Sequence, residues 1–298
     1  MQLKDLENKR KSLNNISLKV NNEKNIYLIN IMKLNQRLSF FNKNALVSRQ
    51  IILHLKEIYN IKNDMLRRES HHRFNLFRKI NRNILWIYLT EEQKYSTDSY
   101  SRYEKTILSN IKKSNNEFIL IGKNAIKFGQ DNNLQVLQSY ENSNIENLAE
   151  KLTKIVMILY EYENYEEVNF VVNSNKNFNQ YFTILPMSKF SFEKFPLNES
   201  NNNLYDINFK RAKIYPNIND FINSQINCYL LNTINMLISE SAFYKAKIGL
   251  VSTNTILKDL DESILKLKKQ ISRAKSELQI EELNLLTKKD PDEGDIYE

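Results

Sequence analysis

The stretch from Leu257 to Leu278 reads LKDLDESILKLKKQISRAKSEL and carries apolar residues at alternating steps of three and four. This spacing predicts one apolar seam on a helix that packs along a partner helix, as in a coiled coil. The residues assigned to the seam are Leu257, Leu260, Ile264, Leu267, Ile271, Ala274 and Leu278. The chain must therefore supply a second helix that pairs with this one.

The seam belongs to a longer stretch, residues 216–288, that contains no internal proline and one glycine, Gly249. Apolar residues recur at helical spacing throughout it, which predicts a single C-terminal helix. Such a helix would be about 100 Å long, too long for a compact domain of this size to enclose. Part of the helix should project, and residues 289–298 follow it as an acidic tail.

A second heptad pattern runs through the N-terminal stretch, in which neither proline nor glycine occurs before Gly122. It predicts a long helix of about 60 residues, roughly 90 Å, within residues 1–80. Because the two long helices lie at opposite ends of the chain, we expect them to form an antiparallel hairpin shaft. The heptad positions are Leu3, Leu6, Arg10, Leu13, Ser17, Val20, Lys24, Tyr27, Ile31, Leu34, Leu38, Phe41, Ala45, Ser48, Ile52, Leu55 and Tyr59.

The segment between the long helices, at about residues 83–195, has a different pattern. Short apolar and β-branched runs predict strands at residues 83–90, 118–122, 134–137, 168–173 and 181–185, with a further candidate at 204–214. Amphipathic stretches predict helices at residues 98–113, 124–128 and 145–160. Strands that alternate with helices favour parallel pairing through crossovers, so we predict a small open α/β, Rossmann-like sheet.

Composition narrows the class of protein. The 298 residues carry a formal charge of +8, which admits an acidic partner such as nucleic acid. No basic stripe with interleaved aromatics and no nucleic-acid-binding signature occurs, so lysines on solvated helix faces explain the charge better. The single cysteine, Cys228, excludes internal disulfides and indicates a reducing compartment. Without an apolar run of about 18 residues or a recognisable signal peptide, the chain is expected to be cytoplasmic.

No stretch predicts a catalytic site. Gly122 begins the segment GKNAIKFG, which lacks the glycine spacing of nucleotide-binding loops, so a tight strand-to-helix turn explains it better. Glu91 and Glu92 follow the first strand without a basic or nucleophilic companion and are assigned to a surface loop. The histidines lack the spacing of metal ligands; they are His54, His71 and His72. We therefore expect no cofactor or metal on this chain.

A long helix at each end with a small α/β domain between them is the layout of the gamma subunit of F-type rotary ATPases, and several motifs resemble that family. The opening LKDLENKRKSLNN, at Leu3–Asn15, is similar to the family's LKEIRRRIKSIKN. ILIGKNAIKFGQDNNLQV at Ile119–Val136 resembles IGKKGRDFFKRRG, and EVNFVVN at Glu167–Asn173 resembles a later EVYLVYN-like strand. SRAKSELQIEELNLL, at Ser272–Leu286, aligns without gaps on NKARQAAITQELLEI.

The resemblance implies a non-catalytic rotor shaft. Its coiled coil would enter a ring of alpha- and beta-type subunits, and ATP, ADP and magnesium would bind to those partners. An epsilon-type subunit would dock on the α/β domain, and a membrane sector or another membrane-associated assembly would hold the complex at the inner face of the cell membrane. Nucleic acid is not an implied partner. The residues implied to contact the ring are Arg10, Lys11, Arg273, Lys275, Ser276 and Glu282.

The chain departs from the family in three places. After Thr90 the family's glycine-rich turn is replaced by EEQKYSTDSY, and polar residues replace an ITxAM segment near Lys19–Glu23. The run YKAKIGLVST places Gly249 and Leu250 where the family has Arg and Met. These are regions where gamma subunits contact the ring and the membrane rotor, so the partners are expected to differ as well. The chain is accordingly similar to the divergent gamma subunits of F-type-like ATPases in wall-less bacteria.

Two other classes stay open from the residues alone. One is a coiled-coil scaffold or tether that holds partners apart without rotating. The other is a basic nucleic-acid-binding protein. The sequence also leaves open whether the complex makes or consumes ATP, and whether a proton-conducting rotor is attached to it.

Overall fold

A computed structural model describes residues 3–59, 61, 64–66, 83–92, 94, 100–111, 115–162, 165–174, 176, 181–195 and 213–287. These residues form two compact units. The helix-pair unit takes its residues from Met1–Ile29 and Ile248–Glu298, and the sheet unit takes its residues from Asn30–Lys247. Each long terminal helix therefore contributes one segment to each unit.

The two long helices are α1, at Leu3–Tyr59, and α5, at Ile218–Thr287. A long helix at each end of the chain is thus confirmed. α5 begins just after Asn217, whose side-chain Oδ1 accepts a hydrogen bond from the backbone N–H of Asp220 at 2.9 Å. This bond caps one of the N–H groups that the first turn of a helix leaves without a partner. No proline lies between Ile218 and Thr287, so nothing in this stretch removes a backbone N–H from the helix.

The N-terminal helix ends well before residue 80, the limit of the predicted N-terminal segment. α1 ends at Tyr59, and a short 3-10 turn follows at Asp64–Leu66. Lys56 Nζ, in the last turn of α1, donates to the backbone carbonyl of Leu66 at 3.1 Å. This bond turns the chain back onto the helix end. Residues 67–80 lie outside the described part of the chain.

A five-stranded sheet forms the centre of the sheet unit. Its strands are β1 (Asn83–Leu89), β2 (Asn115–Ile121), β3 (Val136–Tyr140), β4 (Tyr165–Val171) and β5 (Phe182–Leu185), in the spatial order β3-β2-β1-β4-β5. Three helices connect the first four strands; they are α2 (Ser101–Ile111), α3 (Lys123–Asp131) and α4 (Leu148–Tyr162). Each of these elements differs from its predicted bounds by three residues or fewer.

Alternate side chains of the central strand β1 enter two separate cores. Leu85, Ile87 and Leu89 belong to the larger core, which also contains buried residues of α1, α4 and α5. Trp86 and Tyr88 belong to the smaller core, under α2 and α3. Because β1 is covered on both faces, it carries an almost unbroken apolar run. That run is the signal by which the strand was predicted.

The sheet is mixed, whereas the sequence pattern favoured parallel pairing throughout. β1, β2, β3 and β4 are parallel to their neighbours, but β5 pairs antiparallel with β4, with Phe182 opposite Phe170. Only residues 172–181 separate these two strands, and a parallel crossover needs a dozen or more residues. The short connection therefore reverses the direction of the last strand. The further strand candidate at residues 204–214 lies outside the described residues, except for Lys213 and Ile214, which are not in a strand.

Candidate interaction surfaces

An apolar cluster joins α1 to α5 within the helix-pair unit. Leu6, Leu267 and Ile271 are buried at its centre. Around them pack the partly buried side chains of Leu3, Leu13 and Ala274. The other seam residues that are partly buried on α5 are Leu257, Leu260 and Ile264. On α1, every heptad position from Leu3 to Tyr27 is at least partly buried, so the predicted apolar faces of both helices point inward.

The two segments of the helix-pair unit run in opposite directions. Lys275 Nζ, near the end of α5, lies 2.9 Å from Glu7 Oε1, near the start of α1. Further along the pair, Tyr27 of α1 lies against Gly249 of α5. Residue numbers therefore rise on one helix as they fall on the other, which is the order expected of an antiparallel hairpin.

Leu278 is the member of the predicted seam that does not pack. Its side chain is 45% exposed, and it is not part of the apolar cluster. Ala274 is the last residue of α5 that packs against the cluster in the described part of the chain. The packed part of the seam on α5 therefore ends there.

Polar residues interrupt the packing midway along the helix pair. Ser17 and Lys24 occupy heptad positions that would carry apolar side chains in a continuous seam. Beside them the helices enclose an open groove of about 610 Å³, which is also lined by Leu257, Asp261 and Glu262. The polar exceptions in the α1 heptad thus correspond to a locally looser contact.

Gly249 lies at a close contact between the two helices. A Cβ built on this glycine would lie 2.4 Å from Cζ of the Tyr27 ring, which is closer than two non-bonded carbon atoms can approach. The Tyr27 hydroxyl donates to Glu23 Oε1 at 3.3 Å, which holds the ring along α1. The glycine that replaces an Arg of the gamma-family pattern therefore makes room for an aromatic ring.

The Lys275–Glu7 contact places the six residues implied to contact a ring toward the same end of the helix pair, near the start of α1 and the end of α5. Arg10 is half-buried because it lies on the seam, while Lys11, Arg273 and Glu282 are exposed. Lys275 is 54% exposed and forms the ion pair with Glu7. The Ser276 hydroxyl donates to the backbone carbonyl of Ser272 at 3.1 Å. Their contact with partner subunits stays a prediction.

An exposed apolar end of α5 was missed by the sequence reasoning. Five large apolar side chains between residues 278 and 286 are 45–68% exposed; they are Leu278, Ile280, Leu283, Leu285 and Leu286. Large apolar side chains exposed together on a protein surface often mark an interaction site. The signal was present in the sequence, because leucines and isoleucine continue here after the three-and-four spacing stops.

Glu91, assigned to a surface loop from the sequence, is buried at the carboxyl end of β1. Its carboxylate lies 3.3 Å from Lys245 Nζ of α5, and its backbone N–H donates to the Tyr100 hydroxyl at 2.9 Å. Glu92 does lie at the surface, 2.9 Å from Lys123 Nζ. The hydrogen bond from Lys123 and its charge lower the pKa of Glu92. Both carboxylates thus have a basic companion, which was not visible in the sequence because Lys123 and Lys245 are distant along the chain.

Side chains of α5 also occupy the carboxyl end of β4. There Ser174 Oγ donates to Glu240 Oε1 of α5 at 2.6 Å. Arg102 of α2 donates to Asn173 Oδ1 at 3.1 Å. In α/β folds the crevice at this edge, where the strand order reverses, is the usual ligand site. In this chain Glu240 and Lys245 of α5 lie beside it.

Gly122 was predicted to form a tight turn from strand to helix, and its backbone has the positive φ that such a turn can require. Its φ of 98° is in the region that favours glycine, and it is the single residue between β2 and α3. A Cβ there would lie 2.1 Å from the backbone oxygen of Thr90. The Thr90 hydroxyl in turn accepts a hydrogen bond from the N–H of Ala125 at 3.1 Å. The glycine is therefore explained by close packing between strand and helix.

The described residues contain neither a cluster of metal-binding side chains nor a membrane-spanning helix. His71 and His72 lie outside them, while His54 is exposed and its Nδ1 lies 3.2 Å from the Gln50 carbonyl oxygen. No group of three or more His, Cys, Asp or Glu that could hold a metal occurs in that part of the chain. Nor does any helix there combine the length and the apolar character needed to cross a membrane.

Comparison with solved structures finds similarity to ATP synthase rotor chains at low sequence identity. A chain of the Euglena gracilis mitochondrial ATP synthase rotor aligns with a TM-score of 0.44 and 11% identity, over 93% of this chain and 98% of that one. A chain of the Tetrahymena thermophila mitochondrial ATP synthase central stalk and c-ring aligns with a TM-score of 0.49 and 14% identity, over 80% and 98%. No protein-family model matches the sequence.

Comparison with curated proteins finds a much nearer relative. The Ureaplasma parvum serovar 3 protein named uncharacterized protein UU050 is 60% identical over 296 residues. The alignment covers 99% of this chain and 97% of the relative. Identity of this level over the whole length leaves no doubt about common descent, and the chain belongs to the same family as UU050 of Ureaplasma parvum.

Proposed function

We propose that this chain is the gamma-like central-stalk subunit of an F-type or F-type-like rotary ATPase. In this role the helix pair is inserted in a ring of alpha- and beta-type subunits and couples ATP hydrolysis or synthesis to rotation. The chain itself is non-catalytic, and ATP, ADP and magnesium bind to the ring. The observation that carries the proposal is the antiparallel pairing of α1 and α5 in the helix-pair unit, with an exposed apolar end on α5.

The distribution of apolar residues at this end favours a partner that surrounds the helix. At about 100° per residue, the exposed apolar side chains at positions 278, 280, 283, 285 and 286 cover an arc of about 220° around α5. This arc is about twice the apolar stripe of roughly 100° that a helix needs to pack on one surface. A scaffold partner with a single groove would cover only one face, whereas a ring encloses the helix. The same feature therefore supports a shaft over a tether.

The further partners follow from the resemblance to gamma subunits. An epsilon-type subunit docks on the sheet unit in this proposal, and a membrane sector or another membrane-associated assembly binds the complex. The chain is then cytoplasmic and peripheral at the inner face of the membrane. Four motifs in the family's order support this assignment, among them Leu3–Asn15 and Ser272–Leu286.

Purification of the native complex tests the proposal. We expect the tagged chain to bring down a hexameric ring of nucleotide-hydrolysing subunits at one copy per ring. A scaffold would purify without the ring, and a nucleic-acid-binding protein would elute with RNA or DNA in a salt-dependent way. Saturable ATP hydrolysis by the purified chain alone would contradict the non-catalytic role.

Charge reversal on α5 tests the coupling to the ring. We expect Arg273→Glu combined with Lys275→Glu to slow ATP hydrolysis or rotation while the complex still assembles. The matched control is Lys268→Glu with Lys269→Glu, which reverses the same charge at two exposed positions of the same helix. Loss of the Lys275–Glu7 pair accounts for no more than about 1 kcal/mol of stability, because the pair is exposed. Wild-type turnover under load in the first variant would remove these residues from the contact.

A further inference from the structure

α5 carries a repetitive apolar stripe where it passes through the sheet unit. Buried aliphatic side chains recur on it at steps of four; they are Ile222, Ile226, Leu230 and Ile234. Four residues of α-helix advance by about 6 Å. If α5 moved along its axis by one turn, each aliphatic side chain would take the place of another. Since cores tolerate exchanges among aliphatic residues of similar volume, this aliphatic stripe by itself distinguishes the two registers poorly.

Glu240 follows this stripe and makes directional contacts with the end of β4. The residue is 2% exposed, and its Oε1 accepts a hydrogen bond from Ser174 Oγ at 2.6 Å. Its Oε2 lies 3.3 Å from Lys176 Nζ. Ser174 Oγ also accepts a hydrogen bond from the backbone N–H of Lys176 at 3.0 Å, which directs the hydroxyl proton toward the carboxylate. The buried carboxylate thus meets one donor and one cation.

The site that receives Glu240 is itself held by α2. The Tyr103 hydroxyl donates to the backbone carbonyl of Ser174 at 3.1 Å and accepts from the Ser174 N–H at 3.1 Å. Burial raises the pKa of Tyr103, so this hydroxyl keeps its proton for donation at neutral pH. Ser174 therefore has a fixed position with respect to both β4 and α2. A second contact of α5 with the sheet edge, between Lys245 and Glu91, has its lysine 42% exposed and is more strongly screened by water.

We propose that Glu240 fixes the register of α5 in the sheet unit. A shift by one turn would bring Met236 or Tyr244 opposite Ser174 and would leave the buried carboxylate without its partners. An unpaired buried charge is strongly disfavoured, so the pairing excludes the shifted registers. Single buried polar residues are known to specify register between packed helices at a cost in stability. The proposal holds whether or not the chain turns in a ring.

Substitution by an apolar residue of similar length separates register from stability. In Glu240→Met the carboxylate disappears, but Ser174 Oγ and Lys176 Nζ lose their partner, so we expect a lower melting temperature. The register should also no longer be unique, which a loss of stability alone would not produce. Spin labels at Asn227→Cys on α5 and Lys154→Cys on α4, in a Cys228→Ser background, report the distance between these helices by pulsed electron resonance. Asn227 and Lys154 are exposed and can carry labels, and Cys228 is partly buried.

We expect one distance in the wild-type background and a second population in Glu240→Met, produced by a slip of about 6 Å along the helix. Ser241→Ala is the matched control, because Ser241 is buried next to Glu240 and no hydrogen bond of its hydroxyl is found among the described residues. A single, unshifted distance in Glu240→Met would overturn the proposal. If that variant does not fold, Ser174→Ala with Lys176→Met decides instead, since it removes the pairing from the other side. One unshifted distance in that variant would likewise refute the proposal.

Discussion

Gly249→Ala should destabilise the helix pair when the Tyr27 ring is present and stabilise it when that ring is removed. In the interior of a helix, alanine is favoured over glycine by about 1 kcal/mol. In this chain the new Cβ would lie 2.4, 2.6 and 2.8 Å from three carbons of the Tyr27 ring. Contacting carbons are about 3.5–4.0 Å apart, so the ring or the helix must move by roughly 1 Å. Overpacking of this kind costs about 1–3 kcal/mol, and the net effect should be a destabilisation of up to about 2 kcal/mol.

A double-mutant cycle isolates the clash. In a Tyr27→Ala background the ring is absent and only the helical preference for alanine remains. Gly249→Ala should then stabilise the helix pair by about 1 kcal/mol. The difference between the two backgrounds, about 1–3 kcal/mol, is the coupling energy between the two positions.

Hydrogen exchange of the α5 amides near position 249, together with urea unfolding, measures this stability. Asn254→Ala is the control, since it changes helical preference at an exposed position of the same helix. It should have the same small effect in both backgrounds. If Gly249→Ala also changed stability by the same amount with and without the Tyr27 ring, the close approach of the two helices would be refuted.

Two further predictions concern buried groups. Ile271→Asp would place a charge in the buried cluster of the helix pair and should lower the free energy of unfolding by several kcal/mol. Ile280→Asp is the control, because Ile280 is 57% exposed and the change should stay within about 0.5 kcal/mol. Equal melting temperatures of the two variants would contradict the packing. Burial raises the pKa of Tyr100 from 10.0 to about 12, so the folded state holds this proton more tightly than the unfolded state. The stability from Tyr100 is therefore fully present below pH 10 and is lost between pH 10 and about 12, at up to about 1.4 kcal/mol per pH unit. Tyr100→Phe should reduce this slope in urea unfolding, and an unchanged slope would argue against the burial.

The long helices could be predicted because their signal is local and repeated. Every heptad position of α1 from Leu3 to Leu55 is buried or half-buried, including the polar exceptions Arg10 and Ser48. The strands of the sheet were recognisable for a similar reason, since a strand that is covered on both faces consists of a short run of apolar residues. The direction of β5 could also have been predicted, because the ten residues that connect it to β4 are too few for a parallel crossover.

Contacts between distant parts of the chain account for the other differences. Glu91 was read as a surface residue because its partner, Lys245, lies 154 positions further along the chain. Leu278 continues the α5 seam by spacing, yet its side chain is 45% exposed and lies outside the apolar cluster of Leu6, Leu267 and Ile271. Periodicity defines which face of a helix is apolar, but the length of apolar face that is covered depends on the partner.

The pairing of Leu6 with Ile271 also has a consequence for synthesis on the ribosome. About 265 residues separate these two partners, so the first helix emerges long before the segment that covers its seam. At roughly 5–20 residues per second, the interval is on the order of 10–50 s. During that time the nascent chain presents a row of apolar side chains that has no native partner yet. We therefore expect chaperones to bind the emerging α1, and truncated chains that stop before residue 248 to aggregate through it.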